Sequence, residues 1–170
     1  PLNFSSNGVP MGYAVDVLNY ISRMSGLEMQ FITGDNWQQL ATQFVDGELE
    51  IMQPVFYSEF RNFMGEMTIP FVDVPYGIIT SSESPVTQIT ELNGKTVAIP
   101  EGWSLTGRLQ AEFPDINIIE VETTREVFEA VISGEADAGM DTAITLQYIT
   151  AQEYTDEITL AHAFEGRQTF

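Results

Sequence analysis

Arg61 is the residue of this sequence best suited to binding a charged ligand. It is the only Lys or Arg between Arg23 and Lys95, and it closely follows Phe56 and Tyr57. A guanidinium beside aromatic side chains can hold a carboxylate through two parallel hydrogen bonds. The alternative is an ordinary ion pair with one of the many surrounding acids. The sequence therefore nominates Arg61 as a clamp for an anionic group.

Asp141 is the corresponding candidate for a cationic group. It follows a run of small residues, 136–140, that predicts a buried strand. A carboxylate at a strand end can receive a ligand ammonium, or it can cap the helix predicted for residues 142–150. The two roles are compatible, and the sequence leaves both open.

Other side chains at predicted strand ends and helix starts complete the set of candidates. Their aromatic rings can stack on a ligand or pack into the core. The turn 101–104 precedes a predicted helix, where free backbone N–H groups can face an anion. The candidates are Trp37, Gln53, Phe56, Tyr57, Trp103 and Ser104.

A helix-to-strand pattern positions Asp141. Thr123 with Glu126 predicts a capping box, and the apolar spacing that follows predicts an amphipathic helix. Gly134 is typical of a left-handed helix end. The chain then enters the buried strand that Asp141 terminates.

The same pattern occurs about ninety residues earlier in the sequence. Asn36 can cap a helix over residues 37–45, Gly47 ends it, and residues 48–52 lead into a strand that Gln53 follows. Two copies suggest two similar α/β lobes with a cleft between them. Ligands of open α/β sheets bind beyond the carboxyl ends of strands, where both copies place their candidates.

The remaining pattern alternates helices and strands, which predicts the α/β class. The segment 1–8 is predicted irregular, with a first strand expected upstream of Pro1, and 163–170 has no clear element. Residues 69–80, with two prolines, are predicted to cross between lobes. The other predicted elements are a helix at 13–24, strands at 27–31, 96–99, 116–121 and 158–160, and a helix at 103–112.

The composition argues against several function classes. The net charge is −19, from 25 acids and 6 bases, which disfavours nucleic acid and anionic membrane surfaces as partners. There is no cysteine, His162 is the single histidine, and no phosphate-loop, dinucleotide, nucleophile-elbow, zinc-protease or calcium-loop motif is present. No cofactor or metal is therefore predicted, and the chain is not expected to be an enzyme.

Short matches in order along nearly the whole chain resemble the family 3 extracellular solute-binding proteins, which have the type II periplasmic binding fold, or Venus flytrap. The resemblance implies two lobes, an extracytoplasmic or periplasmic location and a small ligand bound by closure of the cleft. Residues 37–40 and 114–116 are most similar to sensor domains of bacterial histidine kinases. The matching segments are 12–17, 37–40, 47–50, 58–61, 69–71, 92–98 and 134–138.

The resemblance also implies roles for the candidates. Arg61 matches the arginine that binds the α-carboxylate of an amino acid, and Asp141 matches the acid that binds the α-ammonium. Trp37 matches the aromatic that stacks on the ligand. Trp103 and Ser104 match the second-lobe turn whose backbone faces the carboxylate.

The resemblance leaves alternatives to an amino-acid sensor. A membrane-linked signalling domain would be the partner of a sensor, and an ABC permease the partner of a free transport component. A dehydratase-type enzyme would need an acid such as Glu101. A ligand-free signalling lobe is favoured by Gln53, Pro54 and Phe56, where amino-acid binders often carry small hydroxyl residues.

The resemblance also predicts the domain boundaries. The first lobe is expected over residues 1–74, cut at both ends, and the second over 75–162. Residues 163–170 are expected to begin the return to the first lobe.

Overall fold

The computed structural model describes residues 2–33, 36–56, 64–161 and 167–169. Helices and strands alternate, which confirms the α/β class. Within these ranges no helix is long and apolar enough to cross a membrane. In chain order the elements are β1 (Phe4–Ser6), β2 (Val9–Met11), α1 (Tyr13–Ser25), α2 (Trp37–Val45), β3 (Asp73–Ser81), a 3-10 turn (Ile89–Leu92), β4 (Thr96–Pro100), α3 (Ser104–Glu112), β5 (Asn117–Val121), α4 (Thr124–Ser133), β6 (Ala138–Thr142), α5 (Ala143–Glu153), β7 (Ile158–Ala161) and β8 (Arg167–Thr169).

Strands β3 to β7 form one mixed sheet in the order β5-β4-β6-β3-β7. β4 runs parallel to β5 and β6, whereas β3 runs antiparallel to β6 and β7. One face packs against α3 and the 3-10 turn, and the other against α4 and α5. Because helices cover both faces, β6 is buried at every residue, as its run of small residues predicts.

Helix α4 begins and ends where its sequence predicts. The Thr123 hydroxyl accepts a hydrogen bond from the backbone N–H of Glu126 at 3.3 Å, and Gly134 has φ +78°. The Glu126 carboxylate accepts from the N–H of Glu122 instead of closing the capping box onto Thr123. Two local signals therefore suffice to delimit the helix that packs on β6.

The expectation of an irregular start at residues 1–8 is wrong. β1 and β2 pair as an antiparallel hairpin around Asn7 and Gly8, with φ +52° and +76°. Positive φ at both central residues matches the right-handed twist of the flanking strands, and Asn-Gly favours it. The hairpin gives Phe4 a fixed position in the fold.

Two predicted strands of the first lobe are not strands in the structure. The segments 27–33 and 48–53 carry no ladder hydrogen bonds, and both line a groove of about 850 Å³. Leu27 and Ile51 are half exposed there, at 59% and 52%. Alternating apolar residues become a strand only beside a pairing partner, and neither segment has one in the described part of the chain. The strand expected upstream of Pro1 stays a prediction.

β3 lies in the segment predicted to cross between the lobes, and it pairs there with β8, an element that the sequence did not predict. Asp73 to Pro75 pair with β8, and pairing of β3 with β6 begins at Tyr76. Pro75 lacks an N–H and thus sits where β3 leaves the main sheet. The pairing of β3 with β8 therefore lies beside the predicted boundary of residues 74 and 75, and the boundary itself stays a prediction.

Candidate functional site

Phe56, which follows the first copy of the helix-to-strand pattern (residues 36–52), has a buried ring. Phe56 is 6% exposed and packs with Leu2 and Val74. Gln53 precedes it, and the Gln53–Pro54 peptide bond is cis. Phe56 thus joins the start of the chain to the first residues of the crossover strand β3.

Two of the predicted binding residues fall outside the described part of the chain. These are Tyr57 and Arg61, which lie in the segment 57–63. Their roles remain predictions from the sequence.

Trp37 is positioned by the cap of α2. Asn36 accepts a hydrogen bond from the backbone N–H of Gln39 at 2.9 Å, as predicted, so Trp37 begins the helix. A methyl group built on Gly102 would lie 3.5 Å from Cε3 of Trp37. The turn that follows β4 therefore brings its backbone against the indole ring.

Gly102 allows this turn because its φ is +77°, in the left-handed region that glycine favours. Trp103 follows as the N-cap of α3, and Ser104 is the first, exposed residue of that helix. The turn therefore presents the N-terminus of α3 beside Trp37, and its contact with an anion stays a prediction.

Trp103 also contacts Phe56. The ring centroids are 5.9 Å apart with the planes at 46°, a tilted geometry typical of aromatic pairs. The structure thus brings Trp37, Phe56, Gly102 and Trp103 to one seam between the first part of the chain and the main sheet.

A further aromatic contact, which the sequence does not predict, joins the same two parts. Phe4 of β1 lies 5.7 Å from Tyr148 of α5, measured between ring centroids. The Asn7-Gly8 turn signal is sufficient to find the hairpin that carries Phe4. It does not reveal the Tyr148 partner, which follows only from tertiary structure.

Asp141 lies on β6 opposite Gly77 and is 1% exposed. Its carboxylate accepts a hydrogen bond from the Thr124 hydroxyl at 2.6 Å, and further bonds from the backbone N–H and hydroxyl of Thr142. The side chain is therefore turned towards the start of α4 and away from solvent. The helix cap predicted for Asp141 is instead Thr142, with α5 beginning at Ala143.

Burial raises the pKa of the Asp141 carboxyl to about 6, although the hydrogen bonds from Thr124 and Thr142 act in the opposite direction. A ligand ammonium would have to take the place of those donors to reach the carboxylate. The contact between Asp141 and a ligand ammonium remains a prediction, and it would require these hydrogen bonds to break.

Solved two-lobed binding domains share this fold, as predicted. The periplasmic VFT2 domain of Bordetella pertussis BvgS has a TM-score of 0.89 at 22% identity, covering 99% of this chain and 73% of that one. The GluR0 ligand-binding core from Nostoc punctiforme, solved with L-glutamate, has a TM-score of 0.80 at 19% identity, covering 94% and 74%. An ancestral arginine-binding protein bound to glutamine has a TM-score of 0.86 at 16% identity, covering 100% and 76%.

Curated relatives include two sensor proteins. Sensor protein EvgS of Escherichia coli (strain K12) is 29% identical over 152 residues, which is 89% of this chain and 13% of that protein. Virulence sensor protein BvgS of Bordetella pertussis (strain Tohama I) is 24% identical over 156 residues, 91% of this chain and 12% of that protein. The chain thus spans about an eighth of the length of these relatives.

Two family profiles match the chain. The profile of the RecR C-terminal segment matches only residues 153–168, which is too short to indicate a family. The profile of the bacterial extracellular solute-binding proteins, family 3, matches residues 1–115, more than half of the chain. The chain therefore belongs to family 3 of the bacterial extracellular solute-binding proteins and is extracytoplasmic.

Proposed function

We propose that the chain is part of a sensor domain whose two lobes close over a small ligand, an amino acid or a related carboxylate. The observation that carries this proposal is the meeting of Trp37, Phe56, Gly102 and Trp103 at the seam between the first part of the chain and the main sheet. The family, the curated sensor relatives and the solved neighbours bound to glutamate or glutamine support it.

Arg61 and the N-terminus of α3 are the proposed carboxylate contacts. Arg61 follows Phe56 by five residues in the sequence, and Phe56 itself lies against Trp103 at the start of α3. A guanidinium and free backbone N–H groups on opposite sides of one carboxylate bind it more strongly than either does alone. A ligand that contacts both sides favours closure, because only the closed state makes both sets of contacts.

The proposed lobes are residues 1–74 and 75–162, with 163–170 beginning the return. The pairing of Asp73–Pro75 with β8 supports a connection at this point. In a sensor, the conformational change of lobe closure would be transmitted through this connection to a membrane-linked signalling domain.

The alternative is a free transport component whose closed form is recognised by an ABC permease. A membrane span and a signalling domain on the same polypeptide would exclude this alternative.

Ligand binding is tested by thermal unfolding of the two-lobed segment against a panel of amino acids and small carboxylates. A ligand at about 100 times its dissociation constant adds about 2.7 kcal/mol to the native state. For a protein of this size that raises Tm by roughly 5–10 °C. We expect one class of ligand to give this shift and Arg61→Ala to abolish it.

Arg23→Ala is the matched control, because it removes an exposed cation from the end of α1. It should leave the ligand-induced shift unchanged. A shift that survives in Arg61→Ala would remove Arg61 from the site. No shift with any member of the panel would contradict ligand binding and favour a ligand-free signalling lobe.

A further inference from the structure

Two Asn-Gly pairs lie on exposed turns, at Asn7-Gly8 and Asn93-Gly94. Asn-Gly is prone to spontaneous deamidation, because glycine has no side chain to hinder attack of its nitrogen on the asparagine side chain. Both glycines have positive φ, +76° at Gly8 and +75° at Gly94. A Cβ built on either glycine meets nothing within 4 Å, so water reaches both. The two pairs are therefore matched in sequence and in exposure.

The backbone hydrogen bonds differ between the two pairs. The N–H of Gly94 donates to the carbonyl of Asp115 at 2.8 Å, and the N–H of the following Lys95 donates to the carbonyl of Leu92 at 2.9 Å. Within the described part of the chain, the N–H of Gly8 donates to no acceptor. The attacking nitrogen is therefore held by a hydrogen bond at the second pair and is free at the first.

The two turns also differ in how firmly the fold holds them. Asn7 lies at the tip of β1 and β2, which are three residues each. A two-stranded hairpin is marginally stable by itself, so its tip opens at low cost. Asn93 instead follows the 3-10 turn, whose Leu92 is fully buried in the core beside the main sheet. Rotation of the peptide plane, which ring closure requires, is thus easier at Asn7.

We propose that Asn7 is a site of spontaneous deamidation, at which the free nitrogen of Gly8 and the exposed hairpin turn allow conversion to isoaspartate. The Gly8 nitrogen attacks Cγ of Asn7, and its proton departs with the ammonia that the side chain releases. The product is a five-membered succinimide ring. Water then opens the ring at either carbonyl and yields aspartate or isoaspartate, so water is the only co-reactant.

The isoaspartyl product lengthens the main chain of the turn by one methylene group. The length of the turn sets the register of a hairpin, so the added group disrupts the pairing of Ser6 with Val9. The same hairpin places Phe4 against Tyr148 of α5, with 5.7 Å between the ring centroids. Modification of Asn7 therefore loosens this contact and adds one negative charge.

The rates at Asn7 and Asn93 are compared by incubating the purified protein at neutral pH in water labelled with heavy oxygen. Peptide mass spectrometry then quantifies the product at each asparagine, and the label marks conversion that occurred during the incubation. We expect Asn7 to deamidate faster by at least about 2- to 12-fold, the factor for one net hydrogen bond. In urea, where both glycine nitrogens are free, the two rates should become similar.

The effect on the hairpin is measured by hydrogen exchange of residues 4–11 with mass spectrometry. The isoaspartyl fraction, separated by chromatography, is expected to lose protection in this segment. Asn7→Asp is the matched control, because it adds the same charge without lengthening the main chain. Asp-Gly also favours this turn, so the protection should be kept in Asn7→Asp.

Equal rates at Asn7 and Asn93 in the folded protein would overturn the inference. So would the absence of product at Asn7 in the folded protein when the sample in urea forms it. Full protection of residues 4–11 in the isoaspartyl fraction would contradict the disruption of the hairpin. The inference does not rest on the proposed function, since neither measurement includes a ligand, and a failed ligand panel would leave it standing.

Discussion

Gly139→Ala is expected to lower the free energy of unfolding by about 2–3 kcal/mol, the usual cost of overpacking a tight core. Gly139 lies in β6, which is buried along its whole length. A Cβ at this position would lie 2.2 Å from Cγ1 of Val127 and 3.0 Å from Cγ1 of Ile79. Neither neighbour is a flexible side-chain end, so α4 or the sheet must shift. Urea unfolding followed by circular dichroism measures the effect.

Gly107→Ala is the matched control for this substitution. A Cβ on Gly107 meets nothing within 4 Å, and Gly107 lies inside α3. Replacing a helical glycine by alanine is expected to stabilise the protein by about 0.5–1 kcal/mol. The same chemical change should therefore have opposite signs at the two positions.

Val127→Ala tests the physical reason for the Gly139 effect. Alone it removes two methyl groups from a fully buried side chain and should destabilise the protein by roughly 2 kcal/mol. Combined with Gly139→Ala it also removes the closer of the two clashes, the one with Val127, so the double variant should be more stable than additivity predicts by about 1 kcal/mol or more. Additive effects would show that steric overlap with Val127 is not the cause.

The elements that the sequence predicts well are those with local signals. Thr123 and Gly134 delimit α4, and Asn36 caps α2, because each end is determined by hydrogen bonds within a few residues. The buried strand β6 follows from its run of small residues. The hairpin Phe4–Met11 has an equally local signal in Asn7-Gly8, which the prediction of an irregular start leaves unused.

The strands predicted at 27–31 and 48–52 failed for a different reason. Their alternating residues describe which side chains are apolar, but a strand exists only when a second backbone pairs with it. In the structure both segments line a groove, without ladder bonds. Local pattern carries no information about the presence of that partner.

Three of the nominated residues lie close together in the structure, and their role in binding a ligand stays a prediction. Trp37, Phe56 and Trp103 were nominated from strand ends and helix starts, and the structure brings them to one seam. The sequence allows two roles for these aromatic rings, which are stacking on a ligand and packing on each other. The inward orientation of Asp141 is not among the predictions from the sequence. Strand alternation places Asp141 on the same side of β6 as Gly139, towards α4.

Asp141→Asn is expected to raise the free energy of unfolding at pH 7 by about 2–3 kcal/mol. The folded-state pKa of Asp141 is about 6, against 3.8 for the unperturbed group, so the buried charge costs up to about 3 kcal/mol above pH 6. Asparagine keeps an acceptor for the N–H of Thr142, and its amide N–H₂ can donate to the Thr124 hydroxyl. It therefore removes the charge while preserving these hydrogen bonds.

The sign of the pH dependence follows from the raised pKa. The unfolded state releases the Asp141 proton near pH 4 and the folded state near pH 6, so the folded state binds more protons between these values. The contribution of Asp141 to stability therefore improves as pH falls from about 7 to 4. The stability difference between Asp141→Asn and the parent should shrink over this window.

Asp137→Asn provides a control with the opposite sign. The hydrogen bond from the backbone N–H of Thr96 holds the pKa of Asp137 below its usual value, and Lys95 acts in the same direction. Its carboxylate thus stabilises the protein above the unfolded pKa, and that contribution is lost as pH falls through the lowered folded value. Asp137→Asn should therefore destabilise the protein at pH 7, with the deficit disappearing only in strong acid.

Urea unfolding of the parent and both variants between pH 4.5 and 7.5 decides the role of Asp141. A difference between Asp141→Asn and the parent that narrows towards pH 4.5 would establish a buried, costly carboxylate held by Thr124 and Thr142. A small stability difference between Asp141→Asn and the parent that does not change with pH would contradict this account. An ionised carboxylate that costs little stability must be in contact with water. Asp141 would then open to the cleft, and the role in binding a ligand ammonium would become the better account of its position.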